Sequence, residues 1–139
     1  MTNKDDCLFC KIIRKELPAN VIYEDPKTMA FLDVMPRAKG HTVIISKTHS
    51  ETLDGLPEGE VAPLFETLRR VSSHLAEVLR ADGLTIGINQ GIVSGQTIPH
   101  LHIHVMPRFS GDGGGSIHSV VNHPPKESLA EIAERIAIK

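Results

Sequence analysis

His100-Leu101-His102-Ile103-His104-Val105-Met106 sets three imidazoles in alternation with aliphatic side chains. Successive side chains on a strand point to opposite faces. The run therefore reads as a strand with Leu101, Ile103 and Val105 in a core and His100, His102 and His104 lining a shared surface. A single histidine on a half-buried strand is usually a hydrogen-bonded spectator. Three in register, about 6.6 Å apart and with ordinary pKa values near ~6.5, form a stripe suited to reaction or metal binding.

Working outward, a polar loop from Gln90 to Pro99 precedes the run, and Leu84 to Asn89 reads as another strand. Before it, Val61, Leu64, Leu68, Val71, Leu75 and Val78 recur in steps of three and four, which predicts one long amphipathic helix from Glu58 to Ala81. Pro63 is expected in or near its first turn, and Asp82-Gly83 is expected to end it. Three more strands are predicted at Val21–Glu24, Thr28–Asp33 and His41–Ser46, after a short helix from Phe9 to about Lys15. The pattern is α+β: a mainly antiparallel five-stranded sheet, one long helix and short terminal helices. It implies a single domain over 1–139, with a polar tail at 1–6, a mobile Gly-rich loop at 110–125 and a C-terminal helix at 126–139.

The 139 residues carry a net charge of -2, so there is no basic field to hold a nucleic acid polymer. No stretch has the length of a membrane span, and the opening Met1-Thr2-Asn3-Lys4-Asp5-Asp6 lacks the apolar core of a signal peptide. A reducing cytoplasmic location is expected, which argues against a disulfide between Cys7 and Cys10. Cys7 and Cys10 form one Cys-x2-Cys pair outside any βαβ context, so a redox dithiol is disfavoured; idle thiols and half of a zinc site both stay open. His74, His118 and His123 are assigned to surface or local hydrogen bonding.

A row of imidazoles suits two chemistries. An i,i+2 pair such as His100 and His102 can share a metal ion, giving a metal-dependent hydrolase. Alternatively, one neutral imidazole attacks phosphorus while its other nitrogen is fixed by a hydrogen bond, and neighbouring imidazoles donate to phosphate oxygens. Ser94-Gly95-Gln96-Thr97, just ahead of the run, offers N–H groups, a hydroxyl and an amide with no carboxylate, which favours the phosphoryl reading. A third reading is a purine-nucleotide-binding regulatory module with incidental turnover.

The His-x-His-x-His run with apolar spacers resembles the signature of the histidine triad family of nucleotide hydrolases and transferases. Cys10-Lys11-Ile12-Ile13, Phe31-Leu32-Asp33, Gly40-His41-Thr42-Val43-Ile44-Ile45, Asn89 and Gly95-Gln96-Thr97 stand where that family has its recurring segments. The resemblance implies a nucleotidyl hydrolase in which His102 takes a nucleoside monophosphoryl group, from a dinucleoside polyphosphate or a phosphoramidate. It places Asn89, Gly95, Gln96, Thr97 and His104 around the α-phosphate, and Asp33 on the ribose. Leu8, Phe9, Ile12, Phe31 and Val34 would wall a purine base, and His41 would back the triad. A site in the family's bacterial branch pairs Cys-x2-Cys with two histidines, mapping a structural zinc onto Cys7, Cys10, His49 and His100, with no catalytic metal. A homodimer is likewise implied by the family alone.

Overall fold

Thr42-Val43-Ile44-Ile45-Ser46 is an unbroken buried run, as expected of a strand covered on both faces. The computed structural model describes residues 4–139 and places this segment (β3, Thr42–Ser46) at the centre of a five-stranded sheet. The others are β1 (Val21–Glu24), β2 (Thr28–Leu32), β4 (Gly83–Gly87) and β5 (His102–Arg108). Their order is β1-β2-β3-β5-β4, and every neighbouring pair is antiparallel. Among the described residues, three α-helices accompany the sheet: α1 (Leu8–Ile13), α2 (Glu58–Leu79) and α3 (Leu129–Ile136). The α+β class and mainly antiparallel sheet expected from sequence are what the structure shows.

Two cores lie on the two faces of the sheet. Leu64, Val71 and Leu75 of α2 pack on Ala30, Ile44, Leu101, Ile103 and Val105. The Thr28 and Thr67 hydroxyls meet at 2.7 Å inside that layer, pairing two polar groups where an unpaired one would be costly. On the opposite face α1 packs Cys7, Phe9, Cys10 and Ile12 against Met29, Phe31, Val43 and Ile45. The aliphatic half of the alternation in the histidine run thus lies under α2, which leaves the histidines to the side that α1 covers.

Several boundaries differ from the sequence reading. β5 begins at His102, so His100 precedes the strand instead of opening it. Pro63 lies in the second turn of α2, and the Gly59 carbonyl that it leaves without an N–H partner is reached by the Lys27 ammonium at 3.5 Å. α2 closes on Arg80 in the left-handed conformation, two residues before the expected stop, and Gly83 begins β4. Of the tail expected at 1–6, residues 4–6 form a 3-10 turn and residues 1–3 lie outside the described residues. The C-terminal helix is shorter than 126–139; the Ser128 hydroxyl caps it by accepting from the Glu131 N–H.

The segment at 110–125 starts from a defined clasp. Arg108 donates to both carboxylate oxygens of Asp112, to the Thr85 hydroxyl and to the Gly115 carbonyl. Beyond a 3-10 turn at Ile117–Ser119 it is irregular and exposed. Gly40 has one conformational duty: at φ +85°, a Cβ there would run into Leu79 and crowd Pro107, so a side chain would push away the loop that delivers His41.

Candidate active site

β5 carries His102 and His104 on one face, with ring centroids 4.9 Å apart, opposite Ile45 and Val43 of β3. The tautomer of each histidine follows from the hydrogen-bond partner behind it. His102 Nδ1 lies 2.7 Å from the His100 carbonyl, which can only accept, so Nδ1 carries the hydrogen and Nε2 keeps its lone pair. On the far side, the Arg37 main-chain N–H donates to His41 Nδ1 at 3.1 Å, so neutral His41 carries its hydrogen on Nε2. That hydrogen is donated across 3.0 Å to His104 Nδ1, which makes His104 Nε2 a donor. A carbonyl behind the ring thus presents a lone pair, and an N–H behind it presents, through one relay, a hydrogen.

Burial keeps these rings neutral. It pushes the pKa of His104 down to about 4, helped by His102 and His41 nearby, and it lowers His102 and His41 as well. Asp33 stands beside the relay with Oδ2 at 3.5 Å from His41 Nε2 and 3.9 Å from His104 Nδ1. Its Oδ1 accepts the Met35 N–H at 2.8 Å, fixing the carboxylate at the start of the loop.

His100 turns away from this group. Its Nε2 donates to the Ser46 carbonyl at 2.9 Å, so its Nδ1 lone pair points at Cys7 Sγ (3.5 Å) and Cys10 Sγ (3.6 Å). His49 Nδ1 lies 3.3 Å from Cys10 Sγ, and one ligand atom from each of the four residues falls within 4.8 Å of the rest. Tetrahedral zinc with ordinary bond lengths separates sulfur from nitrogen ligands by about 3.6 Å. The donor set fits, and a carbonyl behind a metal-facing imidazole commonly holds that ring in place. Without an ion, burial and the Cys7 thiol push Cys10 up to about 11. The notion of His100 and His102 sharing one ion is not met: both nitrogens of His100 are committed, Nε2 to the Ser46 carbonyl and Nδ1 to the thiols, so none faces the free Nε2 of His102.

The remaining expected residues divide. Asn89 and Thr97 are not buried, and the Asn89 amide packs over Gly95, whose φ of +97° favours glycine. The Gln96 carboxamide is spent on its own loop: Oε1 accepts from Gly91 N–H, while Nε2 donates to the carbonyls of Glu51 and Ile98. Ile12 and Phe31 are buried in the α1 core, whereas Leu8 is 45% and Val34 85% exposed. Phe9 sits edge-on to His102, with ring centroids 5.1 Å apart. Sequence reasoning did not find the Arg37 N–H, the Ser46 carbonyl or the Phe9 contact. Main-chain groups have no residue signature, and only the third involves a side chain.

A neutral imidazole with a free lone pair, a donor imidazole beside it and a glycine-bearing loop ahead of the strand form an arrangement chemically able to attack one electrophile and donate to an adjacent anion. The chain matches the HIT domain family over residues 14–111 and belongs to that family. It is 44% identical over 107 residues, 77% of this chain and 82% of the relative, to an uncharacterized HIT-like protein of Methanocaldococcus jannaschii. It is 36% identical to the adenylylsulfatase HINT3 of Arabidopsis thaliana over 90% of this chain and 64% of that protein. A zinc-bound histidine triad protein from Mycobacterium smegmatis superposes with a TM-score of 0.74 at 39% identity, covering 80% of this chain and 81% of that one. Among the described residues, no helix is long and apolar enough to cross a membrane.

Proposed function

We propose that the chain is a nucleotidyl hydrolase that releases a nucleoside monophosphate, AMP by preference, through a covalent nucleotidyl-His102 intermediate. The observation that carries this reading is the 2.7 Å bond from His102 Nδ1–H to the His100 carbonyl, which leaves the lone pair on Nε2 of this neutral ring free as nucleophile. His102 Nε2 attacks the α-phosphorus, a P–N bond forms, and the bond to the leaving group breaks with its electron pair going to that group. Water then attacks the same phosphorus, the P–N bond breaks back to His102, and the water's proton leaves with solvent. His104 Nε2–H donates to a non-bridging oxygen, where charge grows in the transition state.

Thr97 and Asn89 bind the α-phosphate in this reading, with Gln96 and Gly95 shaping the loop that presents them. Asp33 takes the ribose hydroxyls through Oδ2. Leu8 and Val34 flank the base above a floor of Ile12 and Phe31. The adenylylsulfatase relative supports an adenylylated substrate, and a leaving group such as a phosphate ester, an amine or sulfate fits a site whose fixed contacts all lie on the nucleotide side. The Cys7, Cys10, His49 and His100 cluster is read as a structural zinc site: these four residues would hold the ion and would thereby tie α1, the segment after β3 and the start of the histidine run together. A cytoplasmic location and a homodimer complete the proposal; the exposed Ile86 on edge strand β4 gives a second copy an apolar strand to meet.

The test is mass spectrometry after brief mixing with adenosine phosphoramidate or diadenosine polyphosphate, stopped with an alkaline denaturant because the P–N bond to an imidazole breaks in acid. An adenylyl mass increment on the peptide containing His102 is expected. Turnover with no such adduct, or no turnover with millimolar AMP binding, would favour direct water attack or the regulatory binding module respectively.

A further inference from the structure

Phe9 lies between the two thiols in sequence, 7% exposed, on a helix of only six residues. Such a helix has little stability of its own, so its position depends on what fastens it. Cys7 and Cys10 bring it against His100 and His49. So fastened, it sets the Phe9 ring 5.1 Å from His102 at 84° and 5.4 Å from Phe31 at 70°, both edge-to-face. The nucleophile is therefore gripped twice from one cluster. Its Nδ1 is held by the carbonyl of His100, whose own ring faces the thiols, and its ring is packed by the residue that those thiols flank. Leu101 N–H to the Ser50 carbonyl at 2.6 Å pins the intervening backbone.

We propose that Phe9 is a positioning residue for His102, and that the Cys7–Cys10–His49–His100 cluster sets the nucleophile's orientation through Phe9 and through the His100 carbonyl. The inference rests on His102 being the nucleophile, and it moves Phe9 from the base pocket to the reacting group. An imidazole free to turn about its side-chain torsions spends less time aimed at phosphorus, so the loss falls on the chemical step and leaves nucleotide affinity unchanged.

The test uses the full-length protein, Phe9→Leu (ring removed, apolar volume kept) and Phe9→Tyr (ring kept). Three quantities are read: AMP affinity by calorimetry, the single-turnover rate of adenylyl transfer, and the 15N imidazole shifts of His102 without ligand. In Phe9→Leu the transfer rate should fall by roughly tenfold or more, with AMP affinity unchanged within about twofold. Its His102 shifts should move from the Nδ1–H pattern toward an averaged one, and Phe9→Tyr should restore rate and shifts. Wild-type protein stripped of metal under reducing conditions should show the same displaced shifts and unchanged AMP affinity. Weakened AMP binding with an unchanged transfer rate would return Phe9 to the base wall and overturn the proposal. So would unchanged His102 shifts in both the variant and the stripped protein. If Phe9→Leu does not fold, the stripped wild type decides alone. If no protein forms an adduct, the nucleophile assignment fails, while the shifts still report whether the cluster holds the ring.

Discussion

Two clusters of ligand-type side chains flank His102, and they are opposite in hydrogen-bond sense. In Cys7–Cys10–His49–His100, the Ser46 carbonyl behind His100 turns a lone pair toward two thiols. In Asp33–His41–His104, the Arg37 N–H behind His41 turns a hydrogen into the space between the two rings. Both groups are close enough to suggest a metal, but only in the first is an imidazole lone pair turned toward two thiols. In the second a proton already occupies the line from His41 to His104, and its product is a donor for an anion. Residue type alone does not separate a histidine that presents a lone pair from one that presents a hydrogen; the hydrogen-bond partner behind the ring does.

Removing the imidazole between the two clusters should have the largest effect. His102→Ala should cut turnover by several orders of magnitude and abolish the adduct while AMP still binds, because the covalent route is lost. Near-normal turnover in that variant would make the contrast between the clusters irrelevant to chemistry. Next comes the donor side. His104→Ala should cost about 2.7–4 kcal/mol of transition-state stabilisation, roughly 10²–10³ in rate, with a smaller change in AMP affinity. His41→Leu should approach that loss, since without its Nε2–H the His104 tautomer is no longer dictated. Equal kinetics of His41→Leu and wild type would break the relay.

The other cluster should respond to metal. Freshly purified protein should carry about one zinc per chain, and Cys7→Ser with Cys10→Ser should abolish binding and lower the melting temperature. An Asp33→Asn change on the far side should leave zinc content untouched. Zinc retained by the double serine variant would mean that the thiols are not its ligands.

Much of this contrast is legible in the residues themselves. The two-residue period at Leu101, Ile103 and Val105 and the three- and four-residue steps from Val61 to Leu75 determine which faces meet, because burial follows side-chain period. The apolar stretch Val43–Ile45 marks a strand, but its central position and its burial on both faces come from the structure. His100 misleads: the same alternation that places Leu101 correctly also assigns His100 to the triad face, whereas its ring is captured before the strand begins. Gln96 is legible as part of the loop but not as its internal brace. The tautomers are illegible because they rest on carbonyls and N–H groups that nearly every residue possesses.

The smallest effect, and the sharpest check on the donor cluster, is pH dependence. Burial holds His104 to about 4 and lowers His41, against ordinary values near ~6.5 in an unfolded chain. Between those limits the unfolded state binds protons that the folded state refuses. Stability therefore falls as pH drops from about 6.5 toward 4, and is flat above that window as far as these groups are concerned. Protonating His104 Nδ1 also requires breaking its bond from His41 Nε2–H, so the relay and the fold titrate together. Above this window the melting temperatures of wild type and His104→Ala should differ by a constant offset. On acidification the wild type should lose stability more steeply, because the variant has one fewer imidazole to keep neutral. Turnover should likewise hold down to well below pH 6.5. Parallel melting curves for the two proteins would mean that burial does not keep His104 neutral and that the donor cluster is not closed by the Arg37 N–H. A turnover profile with its acid limb near 6.5 would mean instead that burial does not protect the His102 lone pair.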